Sequence, residues 1–181
     1  MKAYKGFDRD LKCRGYQFYE DKVHTEPEAN CVKNGFHCAE DPLDCLTYYP
    51  NWENSVYYIV EASGDIDEDG TDTKISCTEM TLVKKLNLEE FVHESLEYMK
   101  RYPLRKCNTH VSDAASPVNS FIVTRGKRPI AAGAIGSVLG LVREEGNKVV
   151  ETAVVVVDGM KIKENIWYTI LDGRLIAEAI G

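Results

Sequence analysis

Residues 55–83, SVYYIVEASGDIDEDGTDTKISCTEMTLV, hold two apolar, β-branched and aromatic runs on either side of an acidic stretch that turns on a glycine. The first run, 55–62, reads as a strand. The second, from about Lys74 to Val83, alternates polar and apolar side chains and reads as another. The stretch between them is then most simply a hairpin connection. It also matches half of a calcium loop, since Asp65, Asp67 and Asp69 take loop positions 1, 3 and 5 and Gly70 takes position 6. Position 8, which should be apolar, is Asp72. Position 12, which should be a bidentate Glu, is Ser76. With strands as flanks and that Glu missing, the stretch reads as a turn, and no metal is expected there.

Charge concentrates around the same turn. The 181-residue chain carries net −7, and residues 111–181 balance at eight acids and eight Lys/Arg. From Glu26 to Asp72 twelve acids face Lys33 alone, a local net charge of −11. A field of that sign repels nucleic acid and attracts basic protein surfaces. The expected partner-binding carboxylates are Asp65, Asp67, Glu68, Asp69 and Asp72 at the turn, with Glu40, Asp41 and Asp44 nearer the N-terminus. Solvation of an ordinary acidic face is the plain alternative.

Outward from the hairpin, 2–7 and 12–19 read as short aromatic strands, each with one glycine. Glu26-Pro27-Glu28 opens a helical turn that Asn34-Gly35 ends. GFHCAE, 35–40, reads as strand or loop. DPLDCLTYYP, 41–50, reads as a short helix with Asp41 as N-cap, Pro42 at N1 and Pro50 as stop. Asn87 to Arg101 is the main helix. Asn87 and Glu90 make a capping-box-like start, and Leu88, Phe91, Val92, Leu96 and Met99 form one apolar face. Pro103 closes it. Beyond Cys107, Ala, Ser, Gly and Val dominate, with Ala-Ala pairs at 114 and 131, the composition of short β-solenoid coils. Three strands follow, broken at Asp158-Gly159 and Asp172-Gly173. The run Ala153–Val157 is apolar on both faces, which suits a buried strand or a homodimer interface. The fold class is therefore α+β: a mixed N-terminal sheet with one main helix (87–101), then a β-rich, solenoid-like part. The boundary falls near 103–112, giving an acidic domain 1–106 and a β-rich domain 107–181.

No run of about 18 apolar residues is present, so no membrane helix is expected, and MKAYKGFDRD lacks the apolar core of a secretion signal. The expected setting is cytoplasmic, where Cys13, Cys31, Cys38, Cys45, Cys77 and Cys107 stay thiols. Cys13, Cys31, His37, Cys38 and Cys45 invite a zinc reading, but their gaps are long and irregular rather than paired at two to four residues. No phosphate-binding GxxxxGK[ST], GxGxxG after a strand, HExxH or GxSxG is present. No cofactor and no catalytic residue are expected from motif. His37, in GFHC, is the histidine to examine for a site.

YKGF (4–7), CRGYQF (13–18), GFHCAEDPLD (35–44) with Tyr48-Tyr49, YYIVEASGDI (57–66) and DTKIS (72–76) resemble an uncharacterised family encoded by bacteriophages, prophages and mobile elements. That family bears K-G-F, C-R-G-[FY]-Q, G-F-H-A-C and P-L-D motifs, a Ser-Ala-Ala solenoid tail and a closing segment like VDGMKIKENIWYTILDGRL (157–175). Here the tail is short, and Ala-Cys of the fourth motif appears as Cys38-Ala39. With the acidic window, the resemblance implies a non-enzymatic accessory protein that binds a basic host protein, such as a Cas9-type nuclease in the manner of an anti-CRISPR inhibitor. The order of elements is also similar to ADP-ribosyltransferase folds. That alternative needs Tyr4 or Lys5, Tyr48 or Tyr49, and Glu79 to serve NAD chemistry. A self-assembling structural module is the third reading.

Overall fold

The computed structural model describes residues 1–68, 70, 72–105, 110–112, 114–115 and 120–178. The chain divides into two compact units, Met1–Asn87 and Leu88–Gly181. The main helix thus groups with the second unit, whereas the sequence reading sets it in the first segment.

The first unit is organised by its longest hairpin. Its strands in chain order are β1 (Lys2–Asp8), β2 (Lys12–Cys13), β3 (Tyr16–Gln17), β4 (Val23–Thr25), β5 (Phe36–Ala39), β6 (Ser55–Glu68) and β7 (Lys74–Leu86). β6 and β7 pair antiparallel from Tyr57–Leu86 to Glu68–Ile75. They run further than the apolar runs suggest, because a register shift between Ser63 and Ile66 absorbs the acidic stretch into the ladder. Gly64 sits there at φ +73, and a Cβ on it would lie 2.1 Å from Thr78 Oγ1. The hydroxyl of Thr78 instead accepts the Asp65 N–H at 2.9 Å. A left-handed glycine is what such a bulge requires.

The sheet runs β4-β7-β5-β1-β6, and β6 also pairs with β7, so β7, β5, β1 and β6 close into a ring. All these pairings are antiparallel. Closure removes the edges that an open sheet would leave. Alternate residues point inward and make the core: Ala3 and Phe7 of β1, Phe36 and Cys38 of β5, Tyr58, Val60 and Ala62 of β6, Ile75 and Cys77 of β7. Burial of such side chains contributes about 25 cal/mol per Å² of apolar surface removed from water.

Two local expectations change. Residues 12–19 are not one strand but a two-residue ribbon, β2 against β3, turning on Arg14 (φ 49) and Gly15 (φ 84). Two consecutive left-handed residues give the turn whose twist matches a hairpin. Residues 26–32 form no helix; Asn30 and Asn34 bridge instead, with Val32 at φ 76. Pro42–Thr47 is a 3-10 helix, N-capped by Asp41, whose carboxylate accepts the Leu43 N–H at 2.9 Å.

The second unit begins with helix α1 (Leu88–Arg101) and continues through β8 (Val111–Ser112), β9 (Ala114–Ala115), β10 (Phe121–Gly126), β11 (Ile130–Ala131), β12 (Val138–Glu145), β13 (Lys148–Val156), β14 (Trp167–Leu171) and β15 (Arg174–Glu178). β8, β10 and β12 stack in parallel, and so do β9 and β11, with Ala131 in register with Ala115. These are the short solenoid coils that the Ala-Ala pairs suggest. Antiparallel β13 extends the first stack, and the β14–β15 hairpin extends the second. Leu139, Leu141, Tyr168 and Ile170 form a core, with Ala153 and Val155 packed against it. Ala153–Val157 is thus buried or half-buried, apart from exposed Val156. Gly140, between Leu139 and Leu141, meets α1: a Cβ there would sit 2.7 Å from Val92 Cγ1.

Asp172-Gly173 turns the β14–β15 hairpin, at φ 52 and 70. Asp158-Gly159 does not join a hairpin, since β13 pairs with β12 and β14 with β11 and β15. Asp158 Oδ1 instead accepts the N–H groups of Met160, Lys161 and Ile162, at 2.8, 2.8 and 3.0 Å. Asp side chains compete with backbone pairing in this way, which bends the chain between two sheets.

Candidate functional site

β1 and β5 pair antiparallel at Tyr4–Ala39. The residues around and beyond that pair, Lys5 and Gly6 on β1 with His37 and Cys38 on β5, line a cavity of about 460 Å³ in the first unit. Its wall is completed by the β2–β3 ribbon and by the segment following the 3-10 helix. K-G-F supplies Lys5 and Gly6, and C-R-G-Y-Q-F supplies Cys13, Arg14, Tyr16 and Phe18. G-F-H supplies Gly35, Phe36 and His37, and P-L-D with the paired tyrosines supplies Asp44, Tyr48 and Tyr49. Separate stretches of the sequence converge on one hollow.

Lys5 occupies an inward position between Ala3 and Phe7, where an apolar residue is the ordinary choice. It is 5 % exposed. Its ammonium donates to the His37 carbonyl at 2.6 Å and lies 3.6 Å from Cys13 Sγ. It also stands over the rings of Phe7 and Phe18, at 5.3 and 5.5 Å. Cation–π contact and a carbonyl offset part of the cost of burying the charge. None of the ion pairs among the described residues involves Lys5 or Arg14.

His37 accepts the Val32 N–H on Nε2 at 2.8 Å. That bond requires a neutral ring with Nδ1 protonated. Burial first, then the positive charges of Lys5, Arg14 and Lys74, hold its pKa below the ordinary histidine value. The same bond fixes Val32, a β-branched residue in the left-handed region, whose strain needs such support. Tyr49 has its phenol pKa raised by burial and by hydrogen bonding with Cys13, so it stays a protonated donor. Burial pushes the Cys45 thiol up to about 12. Lys74 donates to the Tyr48 hydroxyl at 2.9 Å and lies 4.0 Å from Asp72 Oδ2.

The acids expected to form a docking surface are placed differently from one another. Asp65, Asp67 and Glu68 are exposed along the outer end of β6. Asp67 accepts the Cys31 N–H at 2.7 Å, and Asp72 accepts that of Lys74 at 2.8 Å. Asp41 is buried and caps the 3-10 helix. Asp44 Oδ2 accepts from the Thr73 N–H and hydroxyl, at 3.0 and 2.6 Å. Glu40 is half-buried, and Asp69 lies outside the described residues. Of the residues named for NAD chemistry, Tyr4, Lys5, Tyr48 and Tyr49 line the cavity, but Glu79 does not; it accepts from Ser63 Oγ at 2.9 Å. Among the described residues no group of three His, Cys, Asp or Glu comes together to hold a metal ion, and no helix is long and apolar enough to cross a membrane. Cys107 lies outside the described residues.

Sequence reasoning singled out His37, and named Lys5 only for the NAD alternative; it missed Arg14 as a site residue. The available signal for Lys5 was its inward place in the β1 alternation.

Fold and site together define an α+β protein whose first unit is a ring-closed antiparallel sheet with a cation-bearing cavity at one seam. The chain belongs to the family described as Domain of unknown function (DUF7666), whose model matches residues 1–94. The match covers the whole of that first unit. No curated protein and no solved structure matches the chain.

Proposed function

We propose that the first unit is a receptor domain for a small organic molecule taken into the cavity between β1 and β5. The observation that carries this reading is the convergence of separate stretches of the sequence on one hollow of about 460 Å³, a size in the range of ligand sites. A protein that needed only to fold would fill an inward strand position with an apolar side chain, not with Lys5. Cys13, half-buried at the cavity wall, offers a reporter, because Cys31, Cys38, Cys45 and Cys77 are buried. Iodoacetamide labelling followed by peptide mapping reads its exposure directly. A metabolite that enters the cavity protects Cys13, and a panel in which nothing protects it sinks the reading.

A second reading concerns the acidic surface. The exposure of Asp65, Asp67 and Glu68 on β6 supports docking of a basic host protein. The resemblance to proteins of phages and mobile elements supports a non-enzymatic accessory role in the bacterial cytoplasm, of which anti-CRISPR inhibition of a Cas9-type nuclease is the specific form. Such binding weakens steeply with salt. Absence of affinity for the nuclease at low salt ends this version.

A further inference from the structure

The first unit carries seventeen acids against ten Lys and Arg, net −7. Its cavity nevertheless collects Lys5, Arg14 and Lys74. Two acids share the lining, Glu26 and Asp44. Asp44 is engaged by Thr73, and Lys74 has Asp72 nearby. Lys5 and Arg14 have no carboxylate partner among the ion pairs of the described residues. A buried ammonium without a counter-charge is costly, and so is an arginine held in the left-handed region at φ 49. Both residues line the same cavity. After burial, the same three cations hold the His37 pKa below the ordinary histidine value.

We infer that the ligand is an organic anion pairing a phosphate with a flat ring, the phosphate held by Lys5, Arg14 and the Tyr49 hydroxyl and the ring lying among Tyr16, Phe36 and Tyr48. This rests on the cavity being a ligand site. Arginine and lysine lining one cavity suit a phosphate, the first as a planar fork and the second as a point charge. Tyr49 adds a neutral donor that does not ionise in the physiological range. Tyr16 and Tyr48 are partly exposed; the Lys74 ammonium stands 5.4 Å over the Tyr48 ring and Tyr16 meets Phe18 and Phe36 edge to face, so the two bring aromatic surface to the cavity wall. The field that repels nucleic acid at the surface leaves a single mononucleotide-sized anion room inside.

The test uses the full chain and three probes: AMP, adenosine and inorganic phosphate, each titrated by calorimetry at low and high salt. AMP binding at least about tenfold tighter than adenosine, and weakened by salt, supports the inference. Arg14→Asn keeps a residue type that tolerates positive φ at an exposed site, so the fold is retained. It is expected to weaken AMP by about tenfold and leave adenosine unchanged. Adenosine binding as tightly as AMP, or equal loss of both in R14N, overturns the anion and leaves the receptor reading standing. Binding by none of the three probes, with no Cys13 protection by any metabolite, overturns both.

Discussion

The ring of Tyr49 lies directly on the backbone of Gly6: a Cβ built there would sit 2.7 Å from Cδ2, 2.8 Å from Cγ and 2.9 Å from Cβ of the tyrosine. The glycine of the K-G-F motif is thus a packing requirement. It lets a residue 43 positions along the chain close the cavity wall against β1. Tyr49 is held from the other side too, since its carbonyl accepts the Tyr57 hydroxyl.

Gly6→Ala pushes against the root of a ring that cannot swing away without breaking that arrangement. Overpacking of this kind costs about 1–3 kcal/mol. Urea denaturation gives the loss, and Cys13 becomes faster to alkylate as Tyr49 leaves the wall. An unchanged midpoint would mean that Tyr49 is not seated on β1.

His37 makes stability depend on pH. Its folded pKa lies below the ordinary histidine value of 6.5, so the unfolded chain binds the proton more readily. The contribution is therefore complete above 6.5 and is lost as pH falls through and below that value. Protonation would abolish the Val32 N–H bond to Nε2. Denaturation midpoints across pH 5 to 8 should show an acid limb that His37→Asn flattens, over and above the carboxylate titrations common to both proteins.

Asp44 and Asp65 separate structural from surface acids. Asp44→Ala leaves the buried Thr73 N–H without its acceptor and should cost about 1–3 kcal/mol. Glu68→Lys changes an exposed side chain and should stay within about 0.5 kcal/mol. Asp65→Lys should do the same, its backbone N–H alone being bonded. If the second functional reading holds, D65K and E68K abolish partner binding while the midpoint stays put.

In the second unit, Gly140→Ala drives a methyl against Val92, Leu96 and Val123, at 2.7, 3.1 and 3.2 Å. Helix α1 must then lift from β12. A loss of about 1–3 kcal/mol is expected, with faster amide exchange concentrated in Phe91–Met99.

Much of the architecture was legible because it rests on short-range rules. Alternation marks β6 and β7, capping and a 3.6-residue apolar repeat mark α1, and two Ala-Ala pairs mark the stacked coils. Arg14-Gly15 was harder, since an arginine with positive φ leaves no compositional trace and the run 12–19 keeps a strand-like character. The hairpin at Gly146-Asn147, with φ 52 and 65, was equally quiet. The cavity was legible only in pieces. Its residues come from several segments, Lys74 of β7 among them, and ring closure, which no local pattern encodes, brings them together. The acidic window was visible at once, and the Asp41 cap with it, yet sequence could not tell Asp44, bonded by Thr73, from Asp65, left in water.

The central claim is that the seam between β1 and β5 is a ligand site. Backbone amide spectra of the full chain, recorded while AMP is added, test it most directly. The account predicts saturable shifts confined to residues 4–6, 13–18, 26, 32–39, 44–49 and 74. Shifts that scatter over the exposed face of β6, or follow no segment of the cavity, would contradict it.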